Sequence, residues 1–146
     1  MKKMILVLVL LSSYCFALTP FSLEGFKQAN VRVLYKGDLL KKSFLEKLQA
    51  DVLSNIKNMG IKTSSKEFSN LLIKINIEEA GEEYAVLTSL FIVESVNPIR
   101  DKELQNIAIT YKKDDFFITN ELKTDVYESI IEFLIPLFEE QYNEEK

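Results

Sequence analysis

The sequence predicts an α/β (α+β) fold, a two-layer sandwich in the order β-α-β-β-β-α with two helices on one face of a four-stranded mixed sheet. Three observations predict it. Two segments, one starting near Ser43 and one near Asn120, repeat apolar residues three or four apart, as a helix with one buried side requires. Four further segments, opening near Val31, Leu71, Tyr84 and Asn106, alternate or run apolar over strand lengths. No internal repeat and no linker-like stretch divides the chain, so all of them belong to one domain.

The first element is not part of that domain. Met1-Lys2-Lys3 is a cationic start, Met4 to Leu11 an apolar run, and Ser12 to Ala17 a stretch closing on small side chains at Cys15 and Ala17. This tripartite pattern reads as a secretory signal peptide over residues 1–17, cleaved between Ala17 and Leu18. The run is far shorter than the roughly 18–20 apolar residues that span hydrocarbon, so no transmembrane span is expected. A lipoprotein signal needs a small residue just before its cysteine and an aliphatic one three before it. Tyr14 and Ser12 hold those positions ahead of Cys15, so no lipid anchor is expected. The expected mature chain, residues 18–146, is therefore periplasmic, has no cysteine and is held without a disulfide. With Lys2 and Lys3 gone, 18 basic residues become 16 against 22 acidic ones, and the net charge moves from −4 to −6. That sign speaks against nucleic acid and anionic lipid, so neither is expected as a partner.

Leu18 to Asn30, with Pro20 and Gly25, reads as a lead-in. Val31 to Tyr35 is a short strand whose residues 31, 33 and 35 share an apolar face, ended by Gly37-Asp38. Ser43 and Glu46 have capping-box spacing, and Phe44, Leu45, Leu48, Val52, Ile56 and Met59 then form the apolar side of a helix, with Gly60 at its C-cap. Ser64 and Glu67 repeat the box and open at most one turn. Leu71 to Ile77 alternates as a strand, and Glu78 to Glu83 is a charged hairpin connection. Tyr84 to Val96 is apolar on both faces and reads as a central strand. Asn106 to Lys112 is the next strand, extending through Phe116 to Thr119 past an expected bend at Lys113-Asp114-Asp115. The last helix runs from about Asn120 to Asn143 with Leu122, Val126, Ile130, Phe133, Leu134 and Leu137 as its stripe; Pro136 should kink or break it near Glu132.

Chemistry-bearing patterns are few. With no histidine and no mature cysteine, the commonest general base, the thiolate nucleophile and the preferred zinc ligands are all missing, so no catalytic residue, metal or cofactor is assigned. Ser54-Asn55-Ile56-Lys57 matches an acyl-transfer motif in letters, but it lies inside the first helix, where a solvated face explains it. Glu78, Glu79, Glu82 and Glu83 lack the alternating oxygen ligands of a calcium loop, and Asp114-Asp115 reads as a turn or strand end. The four glycines are scattered, so no phosphate loop can form.

One feature exceeds what packing on a sheet requires. Nine of the thirteen residues from Val126 to Phe138 are apolar. The second side of that helix, Tyr127, Ile131, Ile135 and Phe138, serves to pack on the first helix, to meet a partner chain or to hold an apolar ligand. Packing on the neighbouring helix is the simplest account, and any remainder left exposed would be an interaction surface.

The export signal with no enzyme signature resembles the small secreted proteins of Gram-negative bacteria. The element order is similar in topology to the amino-terminal domain of the TolB family and to the LptE lipoprotein family. The resemblance implies an adaptor role in the cell envelope and transfers no residue. The expectation is a non-enzymatic interaction module whose partner is another envelope protein, engaged through the last helix or a sheet edge. The alternative is a carrier of a small apolar ligand or lipid between helices and sheet.

Overall fold

The structure, a computed structural model, describes residues 22–64, 66 and 68–146. The signal peptide, Cys15, the Ala17–Leu18 cleavage site and Glu67 of the second capping box lie outside the described residues. The elements follow in the expected order: β1 (Asn30–Tyr35), α1 (Lys42–Asn58), β2 (Ser69–Ala80), β3 (Glu83–Val96), β4 (Asn106–Thr119), α2 (Leu122–Glu128), a π-helical stretch Ser129–Leu134, and α3 (Ile135–Glu144). They build a four-stranded mixed sheet in the order β1-β2-β3-β4. β1 runs parallel to β2 across the α1 crossover, and the remaining pairs are antiparallel.

Alternation decides which side of each strand is covered. Val31 lies beside Leu71, Leu71 beside Ile92, and Ile92 beside Tyr111, so one row crosses the whole sheet. All four are buried, as are Ile73, Ile75, Val86 and Leu90 on the same face. α1 covers that face with Leu48, Val52 and Ile56. The final helical segment adds Val126, Ile130, Leu134, Ile135, Phe138 and Tyr142. The lead-in, which forms no regular element, closes the core with Leu23, Phe26 and Ala29. It is held at both ends of its described part. The Glu145 carboxylate accepts from the Leu23 amide and the Ser22 hydroxyl, and the Ala29 amide donates to the Lys62 carbonyl at 2.9 Å.

α1 ends as its sequence directs. Gly60 has φ +85°, its amide donates to the Lys57 carbonyl at 2.9 Å, and the Ile61 amide reaches back to Ile56 at 3.3 Å. That is a Schellman motif with its apolar contact, since Ile56 and Ile61 are both buried. The start differs from expectation. The helix opens at Lys42 with Lys41 as N-cap, and no side chain caps it. Ser43 is already in the first turn, and Glu46 pairs instead with Lys42 at 3.6 Å, both exposed. Burial of Leu40 fixes where the chain turns in, and that packing outweighs a cap on the surface.

β4 also differs. It runs unbent through Lys113-Asp114-Asp115, so these residues are neither a turn nor a strand end. The irregularity sits earlier: Ile92 faces Tyr111 and Val93 faces Ile109, leaving Thr110 as the extra residue of a β-bulge. Charged residues do not end a strand whose backbone is paired, and here Lys112 and Asp114 project from one face and meet at 2.8 Å.

The last helix is not broken at Glu132 but changes hydrogen-bond register. The Ile135 amide donates to the Ile130 carbonyl five residues back. Pro136 lacks an amide hydrogen and its ring would press on the carbonyl four residues before it, so a wider turn just ahead of it removes both conflicts. The extra residue in that turn rotates the buried side from the Phe133/Leu137 row to the Leu134/Ile135/Phe138 row. Phe133, expected in the stripe, is 45% exposed.

Candidate functional site

Since all helical cover among the described residues lies on one face, the opposite face of the sheet is left open by them. Its rows follow from the register: Asn70, Val93 and Ile109; Leu72, Phe91 and Lys112; Lys74, Ser89 and Asp114; Asn76, Leu87 and Phe116; Glu78, Ala85 and Ile118. Beyond the bulge, Ile107 lies opposite Ser95 on the same face. The inner strands' Leu72, Leu87, Phe91 and Val93 are half-buried among their neighbours. β4 is not so shielded: Ile107 and Phe116 are 65% exposed, Ile118 57% and Ile109 50%. A polar row splits this surface into two apolar halves. Partial burial works to raise the Asp114 carboxyl, but hydrogen bonds from Lys112 and Ser89 and the Lys112 charge together hold it below the ordinary carboxylate value.

β4 is also the margin of the sheet. Fourteen residues long, it has no strand on its outer side among the described residues, whereas β1 at the other margin has six. A long edge with exposed apolar side chains is the feature soluble proteins ordinarily avoid or use.

The surface expected on the last helix is not there. Phe138 and Ile135 are buried, and Phe138 meets Phe26, Tyr111 and Tyr142 with ring centroids 6.1, 5.4 and 6.1 Å away. Tyr127 and Ile131 are half-buried at the core margin. Tyr127 joins the helix to α1: its hydroxyl donates to Asp51 Oδ2 at 2.9 Å, and Lys47 Nζ lies 5.1 Å from its ring centroid. Apart from Phe133, the abundance of apolar residues on this helix is thus consumed by the two-layer packing. The layer between helices and sheet, where a carried ligand would sit, holds Ile130, Leu134 and Phe138, each with no exposed surface. What the sequence reading missed was the open face. Only part of its signal was present: Phe116 and Ile118 alternate on the side away from Tyr111, whereas Ile107 and Ile109 fall in step with Tyr111 in the sequence and reach the open side only through the bulge at Thr110.

Two polar features lie on the covered side. Ser129, at the start of the π-helical stretch, donates to Asp115 Oδ2 at 2.7 Å, and its oxygen is 2.6 Å from that of Thr88. A serine on a carboxylate is the beginning of a nucleophile–base pair. Here Ser129 and Thr88 are both buried, and the hydroxyl is enclosed by its two partners, so the network ties the final helix to β3 and β4. Asp115, Asp125, Glu128 and Glu132 line the shallow pocket beside it. Among the described residues no three carboxylates converge as metal ligands would.

Tyr111 is the second feature. It is fully buried, and among the described residues its hydroxyl has no hydrogen-bond partner. Burial, then the nearby Glu145 charge, pushes its pKa up to about 12. Because the folded value lies above the ordinary one of about 10, the unfolded chain releases this proton first, and stability falls as pH rises through the interval between them. Tyr111→Phe removes an unsatisfied group without changing the packed ring. It is expected to leave neutral-pH stability unchanged or raise it by about 1 kcal/mol. It should also flatten the alkaline decline, as urea melts at pH 7, 10 and 11.5 would read. A variant less stable at pH 7 would mean the hydroxyl is satisfied.

Compared with known protein-family models and with curated protein sequences, the chain matches none. Among the described residues no helix is long and apolar enough to cross a membrane.

Proposed function

We propose that the protein is an exported, non-enzymatic interaction module of the cell envelope that binds through the open sheet face along β4. The observation that carries this reading is the row Ile107, Ile109, Phe116 and Ile118, half or more exposed on a sheet margin. Side chains of that kind gain little from water and much from a partner's surface, at about 25 cal/mol for each Å² of apolar area covered. The signal-peptide pattern at Met1 to Ala17 supports the location. The last helix contributes by holding the opposite face shut.

A photo-reactive residue in place of Ile118, compared in the host with one in place of exposed Ser54 on α1, tests the reading. Position 118 is expected to give a discrete adduct with another envelope protein, and position 54 none. Equal, diffuse labelling from both positions would refute it.

A further inference from the structure

The open edge carries a pattern that selects its own occupant. At the middle of β4 the sequence is Lys112-Lys113-Asp114-Asp115. Charges on an edge strand ordinarily keep other strands away, and a guard of one sign would repel a second copy as well. Two lysines followed by two aspartates do the reverse. Read antiparallel against itself, the segment sets opposite charges together.

We propose that β4 pairs antiparallel with β4 of a second copy of this chain, about a two-fold axis at Lys113 perpendicular to the sheet. Two open faces then form one continuous face. This rests on the reading of β4 as the binding margin and deepens it: a second copy covers the edge itself, and the joined open face is what meets the envelope protein. Side chains directly opposite in an antiparallel pair point to the same side, so open face joins open face only in registers that pair residues of like facing. With Lys113 opposite its symmetry mate, Lys112 of each copy faces Asp114 of the other on the open side. Thr110 is extra in the ladder to β3, and the proposed pairing passes over it in the outer ladder as well. The register beyond it then sets Phe116 opposite Ile109, and Ile118 opposite Ile107.

Every exposed apolar residue of β4 thereby meets another, and each meeting occurs twice. Moving the axis by one residue to Asp114 sets aspartate against aspartate and Lys112 against Phe116. Moving it to Lys112 sets Ile109 or Thr110 against Asp114. Only the Lys113 axis satisfies both the charges and the apolar pairs. Its one like-charged meeting, Lys113 with its mate, falls on the helix-covered side. There each lysine stands two residues from Asp115, whose pocket also holds Glu128 and Glu132.

Sedimentation of the protein purified from its host tests this. The wild type is expected to be a dimer. K112D sets two carboxylates face to face on each side of the axis, and D114K sets two ammonium groups so. Each should raise the dimer dissociation constant by about tenfold or more. An equimolar mixture of the two variants places opposite charges together again and is expected to restore dimers as heterodimers. In a C15A background, K113C should oxidise to a covalent dimer, because strand neighbours on the axis stand about 4.5–5.5 Å apart at Cα, within disulfide reach.

A monomeric wild type, a dimer indifferent to both charge variants, or a mixture that stays monomeric would each overturn the pairing. If a charge variant fails to fold by circular dichroism, the K113C bridge decides alone, and its absence counts against the proposal. A monomer whose position 118 still labels another envelope protein refutes the self-pairing and leaves the interaction module standing. A dimer that labels nothing but itself does the opposite.

Discussion

Phe138→Ala is expected to cost about 3–5 kcal/mol, the range for emptying an aromatic site in a closed core. Phe138 has no exposed surface and stands at the centre of three ring contacts, edge-on to Phe26 and Tyr111 and stacked on Tyr142. Aromatic pairs add about 0.5–1.5 kcal/mol each beyond area, so the loss should sit toward the upper end. A domain of ordinary stability has about 5–15 kcal/mol to lose, and this one has no disulfide to fall back on. Phe133→Ala is the matched control. Phe133 is 45% exposed, and its truncation should cost under about 1 kcal/mol. Urea midpoints read by far-UV circular dichroism separate the two. Equal losses would mean that the helix presents the Phe133 row inward and that the π-helical stretch is misplaced.

That comparison bears on how much of the fold is legible from residues alone. The order of elements and the number of strands and helices were legible, because periodicities of two and of three to four are direct records of which side is buried. β3 reads as a central strand and lies between β2 and β4. The side of the last helix was not legible beyond Ser129. A constant helical period assigns Phe133 and Leu137 to the core, and one wide turn before Pro136 hands that place to Ile135 and Phe138. Composition revealed the surplus of apolar residues on this helix and could not reveal which side used it.

The open face failed to show for a related reason. Apolar residues on both sides of a strand ordinarily mean cover on both sides. Phe91 and Val93 point to the open face, where strand neighbours shield them only in part, and among the described residues no helix lies on that side. The count of helices was the available clue. Two helical segments of moderate length can cover one face of a four-stranded sheet, and a second face rich in Ile and Phe is then left over. A surplus in the strands is therefore a better pointer to an open apolar face here than a surplus in the helix, because the helix must also close against α1 through Tyr127.

The second large effect is expected at the seam that holds the π-helical stretch. Ser129→Ala should cost about 2–3 kcal/mol, more than loss of an ordinary hydroxyl, because its bond runs to a carboxylate. Ser129 Oγ gives its hydrogen to Asp115 Oδ2 and so can only accept from Thr88 at 2.6 Å. Removing it takes a donor from Asp115 and leaves Thr88 with the Asp115 carbonyl at 3.4 Å. Thr88 is buried, so that hydroxyl finds no water in exchange. Thr88→Val alone should cost about 1 kcal/mol, since Ser129 keeps its carboxylate. The double variant should cost less than the two single losses together, because the Thr88 hydroxyl orphaned by the first change is removed by the second. A coupling of about 0.5–1 kcal/mol from a double-mutant cycle in urea is the expected reading. Strict additivity would mean that the two hydroxyls do not share a proton, and that the turn before Pro136 is held to the sheet by packing alone.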